Sequence, residues 1–174
     1  FSRIITPFGG RRALNLSAAV LLSGLVFHDP EWRDTGRDAL EASILAGGIV
    51  TPVLKRVAGR SRPNAGEGAY AFDADSGNES WPSGHSTNAF AVASVFAARS
   101  KGWVVPTIAY SLAAGVAASR MNDNVHFSSD VLAGAFIGTA VGRSIVARHR
   151  RSAAPKGTPV VTWMIVPSRR GASF

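Results

Sequence analysis

The chain has 174 residues, a formal net charge of +8 and no cysteine, which excludes disulfides and thiolate metal sites. That length suits one domain over residues 1–174 with a real hydrophobic core. The charge is uneven: no acid follows Asp130, and the segment from Arg143 onward holds seven cations. Trp163 and the terminal Phe174 are the only large planar aromatics in the basic tail, about 148–174, and no base-reading motif accompanies them. Nucleic acid is therefore excluded as a partner.

In chain order, Ala13 to Phe27 reads as an apolar helix. Asp29-Pro30-Glu31 then opens a second helix, with Asp29 as cap and Pro30 in the first turn. It is expected to reach about Gly59, with a kink near Gly47-Gly48 or Pro52. Residues 63–82 are a loop rich in Gly, Asn, Asp and Ser. A third helix follows from Ser83 to about Lys101, a fourth from Trp103 to Ser119, and a fifth from His126 to His149. Pro159 to Pro167 is dense in β-branched and aromatic residues and reads as a short strand or an extended arm. The fold class is all-α: a compact bundle of about five to six helices, with a site at helix ends and one C-terminal strand. Small residues such as Ala91, Ala113, Ala133 and Gly138 allow the later helices to approach closely.

Three short motifs between residues 55 and 130 carry the chemistry. The first is Lys55, six residues, then Arg62-Pro63. Seven residues are about two helical turns, so both cations are expected on one helix face, with Pro63 ending that helix. The second is Pro82-Ser83-Gly84-His85, which reads as a helix start. Ser83 is a good N-cap, Gly84 lets the backbone approach an anion, and His85 stands where a general acid can act. The third is Ser119-Arg120, five residues, His126, three residues, Asp130. The i, i+4 spacing lets Asp130 bond one nitrogen of His126 and leave the other as a nucleophile.

A transferring phosphoryl group spreads charge over its equatorial oxygens, so its catalysis is mostly positioning and electrostatics. Lys55, Arg62 and Arg120 supply fixed cations, and the N–H groups after Ser83 supply donors. The expected path is attack by His126 on phosphorus, a phosphohistidine, then attack by water. His85 would serve as acid and then as base. The loop before the second motif is expected to wall the pocket, with Tyr70 and Trp81 as apolar contacts.

This set of motifs resembles the type 2 phosphatidic acid phosphatase family, in the superfamily with bacterial acid phosphatases and vanadium haloperoxidases. All eleven specified positions match in identity and internal spacing. The resemblance implies that Lys55, Arg62, Ser83, Gly84, His85 and Arg120 hold phosphate. His126 would be the nucleophile, His85 the acid and Asp130 the orienter of His126. It also implies a metal-independent site with no cofactor, in which vanadate inhibits as a phosphate mimic.

The expected activity is hydrolysis of phosphomonoesters or diphosphates, foremost of lipids: phosphatidate, diacylglycerol pyrophosphate, phosphatidylglycerophosphate or an isoprenyl diphosphate. Two alternatives stand beside it. One is a vanadate-dependent haloperoxidase. The other is a non-catalytic binding module whose basic tail meets an anionic membrane surface. Bacterial members of the family imply the periplasm or the periplasmic face of the inner membrane. The mean hydropathy of only +0.12 and the interrupted apolar stretches favour a soluble or peripheral protein over an integral one.

Overall fold

The structure is a computed structural model that describes residues 2–153. The expected strand at Pro159 to Pro167 and the cations Lys156, Arg169 and Arg170 lie outside the described residues. A short helix α1 (Ser2–Ile5) and a 3₁₀ turn (Thr6–Gly9) lead into α2 (Arg11–Val26). Helix α3 (Pro30–Ser43) passes through a π-helical stretch (Ile44–Val50) into α4 (Thr51–Ala58). Then come a 3₁₀ turn (Pro63–Ala65) and helices α5 (Gly84–Arg99), α6 (Val104–Asn122) and α7 (Ser128–Ala153). The first six residues of the basic tail thus continue α7. The described residues form no strand beyond an isolated bridge between Arg60 and Phe72, so the all-α class holds.

Local chemistry explains the boundaries. Asp29 accepts hydrogen bonds from the N–H groups of Glu31 and Trp32, at 2.8 and 3.0 Å, and Pro30 fills the first position of α3. The expected irregularity near Gly47-Gly48 is the π stretch. It ends where the Thr51 N–H bonds the Ala46 carbonyl, one residue farther back than in an α-helix, just before Pro52 removes a donor. Gly59 closes α4 in the left-handed conformation, with its N–H on the Lys55 carbonyl.

Helix α5 is the hub and packs against α3, α6 and α7, while α2 lies on α3. One core joins Val92, Val95, Ile145 and Val146 to Ala39, Ala42 and Ala46. Another joins Ala89, Ala93, Ala113 and Val116 to Phe8 and Tyr110. The closest approach is between α5 and α7. A Cβ built on Gly134, Gly138 or Gly142 would stand 2.7, 2.1 or 2.2 Å from an atom of α5 or its cap. This glycine row brings the head of α7 against the head of α5, where two of the three motifs lie.

The outer surface does not resemble that of a water-soluble bundle. Helices α6 and α7 are long and apolar enough to cross a membrane, and only 22% of the apolar window of α6 is buried. Leu22 and Leu25 on α2, Ile108 and Leu112 on α6, and Leu132 and Phe136 on α7 all face outward. Apolar surface on this scale marks contact with lipid or protein.

Candidate active site

The site forms at one end of the bundle, where α4, α5 and α7 and the turn between α6 and α7 converge. Lys55 sits in the last turn of α4, with its ammonium donating to the Glu79 carbonyl at 2.5 Å. A Cβ on Gly84 would lie 3.8 Å from Lys55 Cε, an ordinary contact distance, so the lysine stem runs beside the head of α5. Arg62 does not share a helix face with Lys55. Gly59 ends α4 before it, and Arg62 is extended at φ −81°, ψ 154°, capping the short turn at Pro63. The expected single helix breaks because a left-handed glycine intervenes. The chain returns nonetheless: Lys55, Arg62, Arg120 and His126 all lie near enough to His85 for their charges to act on it.

Ser83 occupies the N-cap position of α5, as expected, but its side chain makes no cap hydrogen bond. Its hydroxyl accepts from Ser86 Oγ at 3.1 Å instead, and its backbone N–H donates to the Asp130 carbonyl at 3.0 Å. The first N–H groups of α5 are therefore not consumed by a side-chain cap, which favours an anion there. His85 follows in the first turn. Burial, then the charges of Arg120, His126, Lys55 and Arg62, push its pKa down to about 4.

His126 precedes α7 rather than starting it. Asp130 is the third residue of that helix, and its carboxylate accepts from the Phe127 N–H at 2.8 Å, half of a capping box. It also accepts from Ser80 Oγ at 2.6 Å and from Arg60. His126 Nδ1 stands 3.6 Å from Asp130 Oδ2, beyond a hydrogen bond, so their expected direct bond is an approach only. Two buried side-chain nitrogens make no hydrogen bond among the described residues, and both belong to this site: His126 Nδ1 and Arg120 Nε.

Arg60 is the residue that sequence reasoning missed. It is 6% exposed and forms an ion pair with the fully buried Asp130. Its guanidinium also donates to Ser129 Oγ at 2.7 Å and to the Ala69 carbonyl, while lying 4.4 Å from the Phe127 ring centre and 5.1 Å from that of Phe72. It ties the loop after α4 to the head of α7. The only advance signal was an arginine between two positions already singled out, and nothing in spacing separates it from a solvated neighbour such as Arg56. The loop contacts also differ from expectation. Tyr70 is 92% exposed at a turn and does not border the cleft at His85, and it is Phe72, also exposed, whose ring lies against the Arg60 guanidinium. Trp81 is half-buried and does not border the cleft at His85.

That cleft, about 580 Å³, is shared by His85 and Arg120 with Arg3, Thr6 and Arg11 from the start of the chain. A second, apolar cleft of about 210 Å³ runs between α2, α5 and α6, lined by Phe8, Leu16, Phe96, Ile108 and Leu112 among others. Among the described residues no group of three or more His, Cys, Asp or Glu is placed to hold a metal.

A family model described as PAP2 superfamily matches residues 39–153, and the chain belongs to that superfamily. It is 35% identical over 104 residues to a lipid A 1-phosphatase of Rhizobium etli, covering 57% of this chain and 44% of the relative. The chain thus spans less than half the length of the curated relatives it matches. Among solved structures it resembles Aquifex aeolicus LpxE, with a TM-score of 0.63, 21% identity and 84% of each chain covered, a likeness of fold. It also resembles a transmembrane PAP2 type phosphatidylglycerolphosphate phosphatase from Bacillus subtilis. There the TM-score is 0.67 at 25% identity, over 86% of this chain and 75% of that one. The soluble or peripheral placement drawn from hydropathy is corrected by these findings: a transmembrane neighbour shares the fold, and α6 and α7 are apolar enough to span with their apolar sides outward.

Proposed function

We propose that this chain is an integral-membrane, metal-independent phosphatase acting on the terminal phosphate of a lipid. The observation that carries the reading is the pair of orphaned buried nitrogens, Arg120 Nε and His126 Nδ1, inside a ring of cations around His85. Unpaired buried donors are costly: a phosphoryl group supplies the acceptor for Arg120 Nε, and His126 Nδ1, which faces Asp130, gains its bond there as the other ring nitrogen meets phosphorus. The relatives, which are lipid phosphatases by name, support the same class.

In this mechanism Lys55, Arg62, Arg120 and the N–H groups after Ser83 hold the phosphate oxygens and stabilise the charge of the transition state. His126 Nδ1 faces Asp130, which leaves Nε2 to attack phosphorus. Catalytic hydrogen bonds are often long before substrate arrives, and the 3.6 Å approach closes to a bond as the ring gains positive charge. His85 protonates the leaving oxygen. Water then attacks the phosphohistidine while His85 takes its proton. Arg60 holds Asp130 in place throughout. The apolar cleft begins at Phe8 and Val116, and Val116 also flanks Gly9, whose backbone lies against His85. It offers an acyl chain a path out of the site.

The test is phosphate release in detergent micelles by the wild type and by His126→Ala, with EDTA present. Short-chain phosphatidate, phosphatidylglycerophosphate and an isoprenyl diphosphate form the panel. Release abolished in the variant and blocked by vanadate is expected. Release that requires a divalent ion, or that survives loss of His126, would refute the mechanism.

A further inference from the structure

The general acid marks the side on which the leaving group departs, because it must touch the bridging oxygen. The cleft that opens on His85 is therefore the leaving-group side, and its lining is cationic. Arg3 and Arg11 line it together with Arg120. Neither Arg3 nor Arg11 forms an ion pair with any described acid, whereas Arg33, Arg56, Arg99, Lys101 and Arg148 all do. The one carboxylate in the cleft, Asp123, lies 3.5 Å from Arg120 and is engaged there.

The segment that bears these two arginines is pinned over the site. Thr6 Oγ1 bonds Ser119 Oγ at 2.9 Å, and Asn88 Nδ2 donates to the Gly9 carbonyl at 3.1 Å. The backbone lies so close that a Cβ on Gly9 would be 2.5 Å from the His85 carbonyl, and one on Gly10 would be 3.5 Å from His85 Nε2. Arg11 opens α2 with no side-chain cap on its first N–H groups, which adds partial positive charge at the same place. A neutral leaving group, such as the diacylglycerol of phosphatidate, gives these cations nothing to bind.

We infer that Arg3 and Arg11 form a second anion subsite, and that the preferred substrate is a lipid whose leaving group itself carries an anionic phosphoryl group. A diphosphate ester has this chemistry, and so does a phosphomonoester beside a phosphodiester. The inference rests on the phosphatase reading above. For a diphosphate the steps balance as follows. The bond from His126 Nε2 to the terminal phosphorus forms as the bridging P–O bond breaks. His85 gives its proton to the bridging oxygen, which leaves on the lipid monophosphate. Water then breaks the P–N bond, returns a proton to His85 and releases orthophosphate.

The experiment compares kcat/KM within two matched pairs in micelles: farnesyl diphosphate against farnesyl monophosphate, and dioctanoyl phosphatidylglycerophosphate against dioctanoyl phosphatidate. Wild type, Arg3→Gln/Arg11→Gln and His126→Ala are assayed. Both arginines are exposed, so the double variant is expected to fold. Losing charged hydrogen bonds to the second anion should lower the within-pair ratio about 10- to 100-fold. A fall confined to the farnesyl pair assigns a diphosphate, and one confined to the other pair assigns a phosphodiester. A ratio that stays within about 3-fold of wild type in both pairs overturns the subsite while the phosphatase reading stands. No release from any of the four compounds, or release that persists in His126→Ala, removes the phosphatase reading and the subsite with it.

Discussion

Arg60→Met tests whether Asp130 is held in place by an arginine outside the three motifs. The substitution keeps apolar bulk between Phe127 and Phe72 but removes the guanidinium from a fully buried carboxylate. Breaking a buried ion pair by removing one partner costs roughly 3–5 kcal/mol. Asp130 keeps its bonds from Ser80 Oγ and the Phe127 N–H, so the lower end, about 3 kcal/mol, is expected. In a protein of this size that corresponds to a fall in Tm of about 6–12 °C, read by thermal unfolding in a fixed detergent. Arg60→Lys should fall between, since an ammonium restores charge but cannot reach the Ala69 carbonyl, Ser129 and Asp130 at once. The kcat should drop about 10- to 100-fold in Arg60→Met, because Asp130 would no longer be fixed opposite His126. A Tm within about 2 °C of wild type together with near-normal kcat would refute the role.

His85 makes a prediction in pH. Its pKa of about 4 in the folded protein lies below the ordinary value of 6.5, so at pH 6 the unliganded site holds it neutral. A bound phosphate or vanadate anion offsets the surrounding cations and raises that pKa, so binding at pH 6 should take up a proton. Calorimetry in buffers of different ionisation enthalpy reads this directly, and heats independent of buffer would contradict it. The linkage has a defined sign. The unfolded chain binds a proton at His85 between pH 6.5 and about 4 and the folded chain does not, so this residue removes stability as pH falls through that window. His85→Asn should flatten that part of the Tm profile. Gly138→Ala tests the seam between α5 and α7. Its Cβ would meet the Thr87 carbonyl at 2.1 Å, and overpacking of this kind costs about 1–3 kcal/mol. Gly48→Ala, with nothing within 4 Å, is the control and should leave Tm nearly unchanged.

The sequence was most informative where identity and function coincide. The cap at Asp29, the helix start at Ser83 and the irregularity before Pro52 all stand where residue chemistry placed them. Lys55, Arg62, Arg120 and His126, from all three motifs, also come near enough to His85 for their charges to act on it despite long separations. Arg60 was illegible for the opposite reason. Its partners, Ala69, Phe72, Phe127 and Asp130, come from two stretches of chain more than fifty residues apart, and no spacing relates Arg60 to both. Likewise, Tyr70 and Phe72 are equivalent aromatics in sequence, and only the bridge between Arg60 and Phe72 decides which one meets the Arg60 guanidinium. The contribution of Arg3 and Arg11 required knowing that the start of the chain folds back over His85 through Thr6 and Asn88.

The membrane relation was misread through an average. The charged first turns of α3 and the polar loop between α4 and α5 pull the mean hydropathy of the chain down to +0.12. Small residues and a proline further lower the apparent apolarity of α6, where Ala, Gly and Ser stand in place of larger side chains. Those residues do not make the helix a poor membrane span. A bilayer offers no hydrophobic drive for helices to associate, so a spanning bundle depends on close packing, which small residues permit. The deciding quantity is which side chains face out. On α6, Ala113, Val116 and Ala117 point inward while Ile108 and Leu112 point outward, so the larger apolar groups lie on the side a water-soluble helix would keep polar. The same inversion on α7, with Gly134, Gly138 and Gly142 inward and Leu132 and Phe136 outward, places both the glycine seam and the lipid-facing surface on one helix. The seam that brings His126 and Asp130 to Ser83 and His85 is thus built for a medium in which packing, not exclusion of water, holds helices together.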